Sequence, residues 1–136
     1  MIIENLKTKR AKEIYSTYGI TVAYVFGSHA KGTAIPTSDI DIAAYFDRAI
    51  DEDGYFNLKL NLTAELMKLL ERNDIDVVVL NNASPLLKYN VFADGETVYV
   101  DSEKDRVRFE VGAMRDYFDT ARLREIMLKA YMDRSV

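Results

Sequence analysis

Along the first eighteen positions apolar residues recur at helical spacing (Leu6, Ala11, Ile14, Tyr18), and Gly19 stands where a left-handed residue ends a helix. The pattern predicts a first helix over about residues 2–18. Residues 21–26, TVAYVF, are β-branched and aromatic and stop abruptly at a Gly-Ser turn, which predicts a strand. A loop over residues 27–37 follows. In residues 39–46, DIDIAAYF, carboxylate and aliphatic side chains alternate at the start, the period-two pattern of a strand with two unlike faces.

Beyond a break at residues 51–54, Leu58, Leu62, Leu66, Leu69 and Leu70 mark an amphipathic helix running to about Arg72, its leucine stripe facing a core. Residues 76–80, DVVVL, read as a third strand. Ser84-Pro85 fits an N-cap followed by proline at the first helical position, so a short helix over residues 85–93, closed by Gly95, precedes a last strand at 97–100. From about residue 103 to 132, Val107, Val111, Met114, Phe118 and Ala121 keep a three-and-four spacing. That predicts the longest helix, with room for a break near Thr120. The order suits an α/β fold: a small mixed β-sheet flanked by helices, with a long C-terminal helix, in a single domain over residues 1–136.

Composition narrows the chemistry. The chain has 49% hydrophobic and 29% charged residues, the balance of a globular protein, and enough length at 136 residues to bury a core. A formal net charge of -4 disfavours extensive nucleic-acid binding. The absence of cysteine removes disulfides and thiolate chemistry, and a single histidine makes zinc and Ser-His-Asp chemistry improbable. No secretory leader or membrane-spanning run is recognisable, so a cytoplasmic location is expected.

Two features gain meaning from their spacing. A strand ends in Gly27-Ser28, where glycine permits a tight turn whose backbone N–H groups and Ser28 hydroxyl can face a phosphate. After ten intervening residues Asp39 and Asp41 stand two apart on a strand, so both carboxylates emerge on one face and can share metal ions. Like charges held so close call for a divalent cation, and hard oxygens beside substrate phosphates suit magnesium. Asp76, at the start of the third strand, completes a triad if that strand lies beside the second. Its role would be to accept the attacking hydroxyl's proton or to ligate a metal. Asp74 shares its parity and is the competing candidate. Alone, a Gly-Ser turn or a D-x-D is ordinary strand punctuation; the combination in strand context points to an active site.

The signature Gly27-Ser28, spacer, Asp39-Ile40-Asp41, with Asp76 later, resembles that of the nucleotidyltransferase superfamily typified by DNA polymerase beta. The stretch DVVVLNNASPLLKYNVFADGETVYV (76–100) and the long last helix further resemble the minimal nucleotidyltransferase (MNT) antitoxins, which pair with HEPN-domain ribonuclease toxins. The resemblance implies an enzyme that uses ATP and magnesium to add AMP to a tyrosine of a partner HEPN toxin and so silences it. Gly27 and Ser28 would hold the triphosphate, with Lys31 and Ser38 completing the nucleotide-binding set, Asp39 and Asp41 the metals, and Asp76 the metal and catalytic-base position. His29 departs from the family pattern, where an arginine, an aromatic or another bulky residue is more usual, and is read as a loop residue. Gly32 is expected to let the loop turn towards the nucleotide.

Past Ala121 the chain still carries Leu123, Ile126, Met127, Tyr131 and Met132 among basic residues. This stripe either docks another chain or folds back on its own domain. Two other functions compete with AMP transfer. One is an antitoxin that masks the toxin without catalysis; the other is a small-molecule, antibiotic-modifying nucleotidyltransferase, disfavoured because no second domain walls an acceptor pocket.

Overall fold

The structure, a computed structural model, describes residues 2–35 and 37–134; Pro36, in the loop before Asp39, lies outside the described residues. Four strands form one mixed sheet in the order β3-β2-β1-β4. They are β1 (Ile20–Phe26), β2 (Ile40–Phe46), β3 (Ile75–Val79) and β4 (Glu96–Val100). β1 runs antiparallel to both β2 and β4, while β2 and β3 are parallel.

The helices are α1 (Ile2–Asn5), α2 (Lys9–Thr17), α3 (Ser28–Lys31), α4 (Tyr55–Leu70), α5 (Pro85–Asp94) and α6 (Glu103–Arg134). The two-residue side-chain period of the strands sorts them into two layers. On one face Ile40, Ile42, Ala44 and Phe46 of β2 join Ala23 and Val25 of β1 and Ile75 and Val77 of β3, covered by Tyr15 of α2 and Leu62 and Leu66 of α4. On the other face Val22, Tyr24, Ala43 and Leu80 pack beneath Val91 of α5 and Phe109 of α6. Full burial of the valine, leucine, isoleucine and phenylalanine side chains among them contributes about 1.5–3 kcal/mol each.

Three expectations need correction. The first helix is two: α1 ends at Asn5 and α2 starts afresh at Lys9, because the Thr8 side chain accepts the Ala11 N–H and caps a new helix. Buried Leu6 lies between them, its carbonyl accepting the Tyr15 hydroxyl at 2.9 Å. The segment expected as loop after Gly27 holds one helical turn, α3. Finally, α6 does not break at Thr120, whose hydroxyl bonds back to the Asp116 and Tyr117 carbonyls inside the continuous helix.

α6 is tied to the sheet near its start. The Tyr24 hydroxyl donates to Glu110, and Arg106 bridges Glu110 and Glu103. Only Phe109 and Ala113 of this helix are buried, however, and beyond Ala121 the apolar residues Leu123, Ile126, Met127, Tyr131 and Met132 are 54–69% exposed. The stripe therefore does not fold back on the rest of the chain.

Candidate active site

The sheet register brings the aspartates together. On β2, Asp41 shares its face with Ala43, which packs beneath α5 and α6, so its carboxylate emerges beyond that core at the start of the strand. Asp41 lies opposite Asp76 in the parallel β2–β3 ladder and opposite Phe26 in the antiparallel β1–β2 ladder. The carboxylates of neighbouring strands thus stand side by side, with Gly27 at the end of the third. Asp39, expected on the strand beside Asp41, instead immediately precedes β2 and is exposed, because the ladder begins only at Ile40 opposite Ile75.

Gly27 makes the turn that no other residue accommodates. It has φ +74° and ψ −150°, a conformation closed to L side chains, and a Cβ there would stand 2.5 Å from Asp41 Oδ2. The glycine turn and the Asp41 carboxylate therefore lie close together, with no room for a side chain between them. Ser28 opens α3, whose first-turn N–H groups have no intrahelical acceptor and so remain available to an anion. Lys31 closes the same turn and is exposed, and Gly32 follows in the left-handed conformation at φ +73°.

Electrostatics mark Asp41. Burial, then the like charges of Asp76 and Asp39, push its carboxyl above the ordinary aspartate value, with His29 opposing. Asp74, the competing third carboxylate, is committed elsewhere: Arg72 Nε donates to its Oδ1 at 2.8 Å and Nη2 pairs with its Oδ2. That partner holds the Asp74 carboxyl below its usual range. The Asp74 backbone carbonyl meanwhile accepts the Ile40 N–H at 2.9 Å.

The donor set fits magnesium. Among the described residues no three acidic or imidazole groups already converge as a metal cage. Magnesium needs none, since it takes one or two carboxylates and completes its shell with water and substrate phosphates. Paired Asp41 and Asp76, with Asp39 at the rim, supply hard oxygens whose mutual repulsion a cation relieves.

Ser38 and His29 occupy different positions from one another. The Ser38 hydroxyl accepts the Ile35 N–H at 2.9 Å, bracing the loop, and retains its own proton for donation. His29 Nε2 lies 3.2 Å from the Ser38 carbonyl, which Arg72 Nη2 also reaches at 3.1 Å. Sequence reasoning missed Arg72. Its contact with Ser38 spans 34 residues, and no local periodicity announces it.

A cavity of about 750 Å³ lies at the other end of β2, lined by Thr21, Tyr45, Arg48 and Lys88 among others, and includes none of the three aspartates. The packed Tyr24, Ala43, Leu80 and Val91 cluster occupies the sheet between them. The strand ends carrying perturbed Asp41 are the better candidate for chemistry, since neighbouring acids beside a glycine turn outweigh cavity size.

Comparison with known proteins agrees with this fold. A family model described as polymerase beta, nucleotidyltransferase matches residues 9–104. Protein adenylyltransferase MntA of Shewanella oneidensis is 30% identical over 88 residues, which are 65% of this chain and 60% of that protein, so the match spans less than two thirds of the relative. A toxin–antitoxin crystal structure with AMP-PNP is similar at a TM-score of 0.73 and 25% identity, covering 92% of this chain and 99% of the other. A complex of tri-AMPylated Shewanella oneidensis HEPN toxin with MNT antitoxin shares the fold at a TM-score of 0.70 and 22% identity, covering 97% and 99%.

Proposed function

Since the chain belongs to the polymerase beta nucleotidyltransferase family, we propose that it is an antitoxin enzyme transferring AMP from ATP to a tyrosine of a HEPN-domain toxin. The observation that carries this reading is the register of Asp41 opposite Asp76, with Gly27 against Asp41. The similar protein adenylyltransferase, and the similar complexes with AMP-PNP and with an AMPylated toxin, support the choice of nucleotide and acceptor.

In this reaction the tyrosine oxygen bonds to the α-phosphorus, the α–β bridging bond breaks and pyrophosphate leaves. Gly27, Ser28 and the first turn of α3 cradle the phosphates, with Lys31 supplying a cation and Ser38 a hydroxyl at the loop. Asp76, across from Asp41, accepts the phenolic proton. Asp39, Asp41 and Asp76 would hold magnesium, which when bound neutralises phosphate charge and favours the attacking oxygen's deprotonation. Use of ATP fits a cytoplasmic setting; among the described residues, no helix is long and apolar enough to cross a membrane. We read residues 1–136 as one working domain.

Incubating the chain with ATP, magnesium and its HEPN partner should add adenylate mass to the partner, and Asp39→Ala/Asp41→Ala should abolish it. Unchanged labelling by that variant would overturn the assignment. The exposed stripe of α6 favours one second reading, neutralisation by masking, under which the same double variant still protects cells from the toxin.

A further inference from the structure

Asp39 is the aspartate of the site least held by the sheet. It is exposed and precedes the first residue of β2, so the ladder does not fix its direction. What fixes it lies on either side. The preceding carbonyl, of Ser38, receives Arg72 Nη2 at 3.1 Å, with His29 Nε2 at 3.2 Å. The following amide, of Ile40, donates to the Asp74 carbonyl at 2.9 Å. Asp74 and Arg72 are themselves joined by a two-pronged ion pair, a planar fork that only arginine forms. Arg72 reaches this position because Glu71, the residue that caps α4, takes the left-handed conformation at φ +53°, which turns the chain back. We propose that Arg72 is a positioning residue that, locked by Asp74, clamps the backbone on the N-terminal side of Asp39 and sets that carboxylate for a divalent cation.

The inference rests on the nucleotidyltransferase reading. It assigns Arg72 no contact with substrate. Loss of a group that orients a metal ligand typically weakens metal affinity by about 10–100-fold.

The test is manganese binding, followed by electron paramagnetic resonance, to the chain with a non-hydrolysable ATP analogue, beside a thermal melt. Arg72→Gln is expected to weaken manganese binding at least about tenfold. In the transfer assay its rate should recover as metal is raised, whereas that of Asp39→Asn should not. Should glutamine unfold the chain, Arg72→Lys carries the comparison, because lysine keeps the charge but lacks the fork and should show the same loss. Wild-type affinity in a folded Arg72 variant, even with a lowered melting temperature, overturns the positioning role and leaves the function reading standing. Failure of the wild-type chain to take up manganese overturns both.

Discussion

At the scale of single residues, the sharpest consequence concerns Asp41. Its folded carboxyl binds a proton more tightly than the unfolded chain's, whose ordinary value is 3.8. Ionisation therefore disfavours the fold: the penalty is absent below that value, grows as pH rises towards the folded pKa, and is complete above it. In metal-free buffer at neutral pH, Asp41→Asn should melt higher than the wild type, and acidification should close the gap. The same variant should lose transfer activity by at least about a hundredfold, the scale of removing one preorganised electrostatic group. An unchanged or lower melting temperature in chelator would refute the charge-repulsion account. Gly27 and Asp41 were legible in the sequence, because a Gly-Ser turn marks a strand end and alternation marks a strand start, while Asp76 depended on its strand lying beside β2, which the sheet order supplies. Arg72 was not, since its meaning lies in Ser38, which folding alone brings near.

At the scale of elements, the strands and α4 to α6 emerged from β-branched runs and helical spacing with boundaries shifted by only a few residues, because the strands lie between two apolar layers and the helices cover them. The departures come from capping. Thr8 starts a new helix within a pattern that reads as one, and Gly27 and Gly32 bracket a turn of helix too short to show a period. Thr120 raised the opposite expectation, yet a hydroxyl bonded back to its own helix leaves it whole. The end of α4 offers a test. Glu71 holds a left-handed conformation that costs a side chain roughly 1 kcal/mol, so Glu71→Gly should raise stability in chemical denaturation by up to about that amount. A loss would mean that the Glu71 side chain makes a compensating contact.

At the scale of the whole molecule, α6 divides into a half that packs on the sheet and a half that does not. Phe109 and Ala113 seat the first half; the second presents apolar residues to solvent, flanked by Arg122 and Lys129. Deleting residues 121–136 should cost about 1 kcal/mol, the scale of the Arg124–Tyr117 cation–π contact it removes. It should abolish co-purification with the HEPN partner. A truncated chain that still assembles places the interface on another surface.

The order β3-β2-β1-β4 leaves Asp76 on an outermost strand, bonded to the sheet on one side only, while Asp41 sits on an inner one. A cation shared by the two would stitch the margin of the sheet to its interior. Amide hydrogens of residues 75–79 should then exchange with deuterium more slowly once metal and nucleotide are added, while those of β4, the other margin, keep their rate. Occupancy of the site would thus be readable as a local quieting of one edge, without any acceptor or turnover.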